Sequence, residues 1–293
     1  MTDSLVAVVT GANSGIGRAT AIHLAQHGYI VYGTVRATSR MDTFRKMVEQ
    51  AEVEIRLVEL DVTDDEAVTS GFGQILGEAG RIDVLVNNAG IGGSGVAEET
   101  TPDRYLDTMN VNLCGAIRCL QQVLPGMRER RSGTIVNITS MVGKVAAIAQ
   151  SPYVASKFAF EGVSEGLAQE LAPFGIRVVI IEPGVTKTAI FAKTAEPPDA
   201  TGAYDAPYRR MLQFYARGQA RATNPKDVAR VIHEAITTDR PRLRYVMSWG
   251  GQNMINGRAA MSDGDWIALG AIADDQAYYD RFQRHFGVAI APD

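Results

Sequence analysis

The sequence predicts an α/β fold, a doubly wound parallel sheet with helices on both faces. Three observations predict it. Short, continuous apolar runs recur along the chain, the form taken by strands buried on both faces of a parallel sheet. Segments with helix signals separate them, and this alternation is the pattern of βαβ units. A glycine-rich turn joins the first run to the first helix. In order, the runs are Leu5-Val6-Ala7-Val8-Val9, then residues 30–35, 54–60, 82–87, 134–138, 178–181 and 245–247. The first helix is expected over about 15–26, ending near Gly28. Thr63 with Glu66 reads as a capping box. Thr101 before Pro102 and Asn224 before Pro225 read as further helix starts, since proline fits the first helical position.

Composition narrows the class. A chain of 293 residues with 46% apolar and 21% charged residues is long enough for one large core. The net charge of −4 and the lack of a long basic run give no footprint for nucleic acid or acidic membranes. No apolar stretch approaches the roughly 18 residues a membrane span needs. No basic residue precedes Arg18, so a secretory n-region is not expected, and a cytoplasmic location is. Cys114 and Cys119 fall on different faces of one helical stretch and are expected as reduced thiols. One domain is expected over 1–293. It has a proline- and aromatic-rich excursion near 189–222 and a tail near 250–293 that is apolar enough to pack.

The turn Thr10-Gly11-Ala12-Asn13-Ser14-Gly15-Ile16-Gly17 lies where a parallel sheet binds ligands, outside the carboxyl end of a strand and at a helix N-terminus. Its glycines let the backbone approach a pyrophosphate; the structural alternative is a tight turn without a ligand. The literal G-x-G-x-x-G match, Gly90 to Gly95, opens no helix and reads as a loop. Arg36 ends the second strand, and no Asp or Glu occurs from Tyr29 through Met41. An acidic residue there would suit a free ribose, whereas arginine suits a 2′-phosphate or a plain solvated surface.

Tyr153 and Lys157 are one helical turn apart and share a face. Ser140 stands at the carboxyl end of the fifth strand. A cation beside a phenol stabilises the phenolate, so the pair is a candidate proton donor for a developing alkoxide, with the Ser140 hydroxyl on the carbonyl oxygen. With ten tyrosines and six lysines, a Y-x-x-x-K pair arises by chance roughly 0.2 times, and the alternative is a packed Tyr beside a solvated Lys. What distinguishes the set is place: the glycine turn, Ser140 and Pro183-Gly184 all fall at carboxyl ends of strands. His23 and His27 share a helix face, but no third ligand lies nearby in sequence, so no metal site is expected.

Together these motifs resemble the short-chain dehydrogenase/reductase family, in its single-domain branch, from about residue 5 to 188 and more loosely through 250. The general look of residues 32–36 and of the tail is similar to hydroxysteroid- and retinol-type members. The resemblance implies a Rossmann-like sheet of about seven strands in the order 3-2-1-4-5-6-7 and a helix-face homodimer or homotetramer. It implies NADP(H) as the preferred cofactor, with NAD(H) possible. The dinucleotide would be held by Gly11, Asn13, Ser14, Gly15, Ile16, Gly17, Arg36, Asp61, Val62, Asn88, Ala89, Gly90, Tyr153, Lys157, Pro183, Gly184, Val185 and Thr188. Ser14 stands where some NADP-preferring members carry a basic residue. Asn112, Ser140, Tyr153 and Lys157 are the implied catalytic set. Tyr153 would move the proton, Lys157 would depress its pKa, and Asn112 would help hold a water chain.

The function implied is hydride transfer between nicotinamide C4 and a ketone or secondary alcohol. Epimerase or dehydratase relatives and a non-catalytic dinucleotide sensor are the alternatives. The first usually carry a different glycine spacing and a larger C-terminal domain, and a sensor has no need of the catalytic set. Substrate-facing candidates are Ser140, Val142, Gln150, Tyr153, Val185 and Phe191, with Gly92, Met141, Ile190 and the 204–215 stretch. They are mostly apolar, which points to a bulky steroid-like, terpenoid or aromatic substrate.

Overall fold

The computed structural model of the chain describes residues 4–37, 41–188, 190 and 201–292. The strands are β1 (Val6–Val9), β2 (Ile30–Val35), β3 (Arg56–Glu59), β4 (Val84–Asn87), β5 (Gly133–Ile138), β6 (Ile176–Pro183) and β7 (Arg244–Met247). All pair in parallel in the order β3-β2-β1-β4-β5-β6-β7, with Val8 beside both Tyr32 and Leu85, and Val136 beside both Val86 and Val179. The apolar runs account for this: β1 and β4 are buried at every position, as strands covered on both faces must be.

The helices are α1 (Gly15–Gln26), α2 (Asp42–Gln50), α3 (Asp65–Ala79), α4 (Pro102–Met109), α5 (Gly115–Arg130), α6 (Ser151–Leu171), α7 (Asp205–Ala220), α8 (Pro225–Thr237), α9 (Gly251–Ala260), α10 (Asp263–Gly270) and α11 (Asp275–Phe286). One sheet face packs through Val8, Leu85 and Ile135 on Phe72 and Ile75 of α3, Leu120 and Val123 of α5 and Leu167 of α6. The other packs through Val9, Val86 and Val179 on Leu24 of α1 and Val228 and Ile232 of α8. The tail packs as expected: Met254, Tyr278, Phe282 and Phe286 enclose an apolar cluster with Met141, Val142 and Val145. Arg210 of α7, only 3% exposed, ties the excursion to that tail. It donates to Asp275 at 2.9 Å and to the Ile272 carbonyl at 2.7 Å, and lies over the Tyr278 ring.

Two local expectations are corrected. The α3 cap is Asp64, whose carboxylate accepts from the Ala67 amide at 2.9 Å. Thr63 is instead drawn back to Asp61, donating its amide and hydroxyl to the same carboxylate oxygen, so no Thr63–Glu66 capping box forms. And α1 packs side by side with α8, which brings His233 to His23 and His27. The histidine pair therefore has the third neighbour that its spacing in sequence did not show.

Below the carboxyl ends of β5 and β6 lies a buried acidic pair. Glu161 of α6 accepts from the Thr139 hydroxyl at 2.6 Å and pairs with Arg244 at 3.0 Å. Glu182 of β6 is 1% exposed, and its Oε1 has no hydrogen-bond donor among the described residues. Burial, and then the Glu161 charge, push the Glu182 carboxyl up to about 7, against Arg244 and Lys144. A carboxyl raised on folding contributes stability that is full below about pH 4.5 and is lost as the pH rises through about 7. Glu182→Gln stays neutral, so it is expected to flatten the pH dependence of thermal melting over that window and to melt above the wild type at pH 8. An unchanged pH dependence would show that Glu182 is not the titrating group.

Candidate active site

The carboxyl ends of β1, β4, β5 and β6 open onto one cavity of about 300 Å³. At its floor the β1–α1 turn is fixed by hydrogen bonds to the end of β4. The Thr10 hydroxyl accepts from the Asn88 and Ala89 amides, both at 2.9 Å, and the Asn88 side-chain amide donates to the Thr10 carbonyl at 2.8 Å. Gly11 has φ +65° and approaches Ala89 so closely that a Cβ would come within 3.0 Å of its Cα. At Gly17 a Cβ would meet the Asn88 side-chain nitrogen at 2.3 Å. The Ser14 side chain does not cap α1, so the helix N-terminus presents backbone N–H groups without a side-chain acceptor. That arrangement suits a pyrophosphate.

Of the residues expected to hold a dinucleotide, Gly11, Asn13, Ser14, Gly15, Ile16, Arg36, Asp61, Val62, Asn88, Ala89, Gly90, Tyr153, Lys157, Pro183, Gly184, Val185 and Thr188 line the cavity. Gly17 lies behind it, buried against Asn88. Arg36 is exposed at the end of β2. Among the substrate-facing candidates, Ser140, Gln150, Tyr153, Val185, Ile190 and Gly92 line the cavity. Val142 and Met141 do not; they pack toward the tail. Phe191 lies outside the described residues. Of the 204–215 stretch, Tyr208 and Met211 pack in a small core, while Tyr215 reaches the cavity and donates to the Gln150 side chain at 2.5 Å.

Ser140, Tyr153 and Lys157 come together as their positions require. β5 ends beside Ser140, whose Oγ accepts from the Val142 amide at 3.3 Å and starts a short 3₁₀ turn over Met141–Gly143. Tyr153 and Lys157 lie one turn apart on α6, and both line the cavity with Ser140. The Lys157 ammonium donates to the Ile138 carbonyl at 3.0 Å and sits 5.6 Å from the Tyr153 ring centre. Burial lowers the Lys157 amine to about 8, against the pull of Glu161. Burial pushes the Tyr153 phenol up to about 12, and the nearby Ser140 hydroxyl only partly offsets it. The expected depression of the Tyr153 pKa by Lys157 is thus not what this arrangement produces. The ammonium is directed at a carbonyl, and desolvation of the phenol dominates.

Asn112 occupies a π-helical turn, Asn110–Cys114, between α4 and α5. Its Nδ2 donates to the Ile91 carbonyl and to the Ser156 hydroxyl, both at 3.0 Å, and its Oδ1 accepts from the Ile91 amide at 2.8 Å. Both amide hydrogens are used, so Asn112 clamps the loop after β4 to α6, beside the cavity rather than in its lining. The residues that reading the sequence missed are those that hold others in place. Asn137 accepts from Asn87 at 2.9 Å and donates to Ser164 at 2.9 Å, linking β4, β5 and α6. Ser156 and Glu161 do the same from the buried face of α6. A polar residue inside an apolar strand, as Asn137 is, was the available signal.

Comparison with known proteins agrees with this geometry. The family model described as short chain dehydrogenase matches residues 5–199. The chain is 36% identical over 242 residues to a 3-ketodihydrosphingosine reductase of Bacteroides thetaiotaomicron, covering 82% of this chain and 86% of that protein. It is 34% identical over 257 residues to the 17-beta-hydroxysteroid dehydrogenase type 1 of Homo sapiens, covering 82% and 76%. A crystal structure of a variant actinorhodin polyketide ketoreductase with NADPH superposes with TM-score 0.70 at 34% identity, over 80% of this chain and 91% of that one. The strand order, the cavity at the carboxyl ends of the strands and these matches place the chain in one family: it belongs to the short chain dehydrogenases, NAD(P)-dependent oxidoreductases.

Proposed function

We propose that the protein is an NADP(H)-dependent carbonyl reductase acting on a bulky, apolar ketone. The observation that carries this is the meeting of Ser140, Tyr153 and Lys157 in the wall of one cavity, with Tyr153 and Lys157 one helical turn apart on α6. Two of the named relatives, a 3-ketodihydrosphingosine reductase and a polyketide ketoreductase with NADPH, support the reading.

The cavity fits a dinucleotide because its floor is backbone. Gly11, Gly15 and Gly17 let this backbone pack against Ala89, Thr188 and Asn88, where a Cβ would collide, and the first turn of α1 supplies N–H donors for the pyrophosphate. Arg36 would face the 2′-phosphate, Asp61 and Val62 the adenine, and Asn88 to Gly90 with Pro183 to Val185 and Thr188 the nicotinamide half. Gly17→Ala tests this fit. The added methyl cannot displace the Asn88 side chain without breaking its bond to the Thr10 carbonyl. Overpacking costs about 1–3 kcal/mol, so NADPH affinity is expected to fall about tenfold or more, read by nicotinamide fluorescence while melting stays cooperative. Undiminished binding would show that the turn does not cradle the cofactor.

When bound, the dinucleotide supplies the hydride. The chain's own residues do the rest. Ser140 Oγ donates to the substrate oxygen, and Tyr153 gives its proton to that oxygen as negative charge develops there. The Tyr153 phenol is protonated at neutral pH and so has the proton that this step gives away. Lys157 keeps a positive charge beside the reacting groups, and Asn112 and Ser156 hold the helix that carries it. Val185, Ile190 and the Tyr215 ring present apolar surface, with Gln150 held by Tyr215 as the polar exception. A homodimer or homotetramer belongs to the same reading, with Leu106 of α4 and Phe158 and Val163 of α6 offering exposed apolar side chains.

The test is NADPH oxidation against a carbonyl panel. Turnover is expected with bulky apolar ketones and not with small charged keto acids. Tyr153→Phe is expected to lose about 10³-fold in kcat and to keep NADPH binding. Reduction is expected to decline as the pH rises through about 8, where Lys157 loses its proton. Turnover of keto acids alone, or an active Tyr153→Phe enzyme, would overturn the proposal.

A further inference from the structure

The chain has four histidines, and three of them meet at one place. His23 and His27 lie one turn apart at the carboxyl end of α1, and His233 reaches them from α8. One ligand atom from each lies within 4.8 Å of the other two. The ring centres of His27 are 4.2 Å from those of both His23 and His233. We propose that His23, His27 and His233 form a binding site for a zinc-class divalent metal ion, which clamps α1 to α8 far from the cavity that takes the dinucleotide.

Three features point to a ligand rather than to simple packing. The Nε2 atom of His23 is buried and has no hydrogen-bond partner among the described residues, an unusual state for a buried polar atom. His27 Nδ1 lies 2.7 Å from the His23 carbonyl. A carbonyl only accepts, so Nδ1 carries the proton and Nε2 keeps its lone pair, the arrangement by which metal-bound histidines are oriented. The donors are three imidazoles with no carboxylate among them, which selects zinc, cobalt, nickel or copper over calcium or magnesium.

Bringing the three nitrogens to the roughly 3.3 Å spacing of a tetrahedron with zinc–nitrogen bonds of about 2.0 Å takes modest side-chain rotation. His27 is exposed and leaves the fourth position to water. The nearby guanidinium of Arg230, which opposes a cation, is paired with Asp227 at 3.1 Å.

The test uses the full-length protein stripped with a chelator and titrated with zinc and, separately, cobalt chloride. One equivalent is expected to bind per chain, with visible cobalt bands of a four-coordinate nitrogen site. At a hundredfold excess over Kd, melting should rise by roughly 5 °C or more. His27→Gln and His233→Gln should abolish both signals, and His285→Gln, the fourth histidine, should keep them. His27 is exposed, so its replacement decides the matter even if the His233 variant does not fold. No melting shift with the wild type, or a shift unchanged in the His27 variant, would overturn the assignment.

Discussion

The structure depends on how closely the turn after β1 can approach the end of β4. These neighbours are where the strand order changes direction, and the connections that leave them in opposite directions open the crevice. Thr10 and Asn88 hold the two ends together through side chain to backbone hydrogen bonds, and glycine at positions 11 and 17 lets them come within contact. A larger residue at either position would part the strand ends, tilt α1 and close the floor of the cavity. Both the position of the helix N-terminus and the depth of the site follow from that one contact.

The reacting groups are built on the other side of the same crevice by a second set of buried polar links. Asn87, Asn137 and Ser164 connect β4 to β5 and α6, and Asn112 connects the loop after β4 to Ser156 of α6. Each link runs between protein partners and so fixes register and rotation of α6, although the Asn87 Oδ1 keeps no donor among the described residues. Rotation of α6 in turn brings Tyr153 and Lys157 to the cavity that Ser140 also lines, with the Lys157 ammonium on the Ile138 carbonyl. Desolvation there has an electrostatic consequence: it raises the Tyr153 phenol and lowers the Lys157 amine from their ordinary values.

Much of this was legible in the residues. The apolar runs located all seven strands to within a few positions, because a parallel sheet buried on both faces tolerates little else. The glycine turn, Ser140, Tyr153 and Lys157 were legible because their spacing relative to strand ends is short-range. What escaped depends on contacts between distant segments or on competition between neighbours. Thr63 was expected to cap α3, but Asp61, two residues earlier, captured its hydroxyl and left the cap to Asp64. His233 is far from His23 in sequence, and only the packing of α8 on α1 joins them. Val142 followed the apolar pattern of a substrate contact, yet the tail offered it a drier neighbour. The π-helical turn at Asn112 leaves no trace in apolar spacing, since one extra residue per turn is too local a change.

The crevice takes a dinucleotide in this reading, and Arg36 at the end of β2 sets its preference for NADP(H). Titration of the purified protein with NADPH and with NADH, followed by nicotinamide fluorescence, tests it most directly. Tighter binding of NADPH is expected, with a loss of about tenfold or more on replacing Arg36 with Asp and a gain for NADH in the same variant. Equal or tighter binding of NADH by the wild type, unaltered by that replacement, would contradict it.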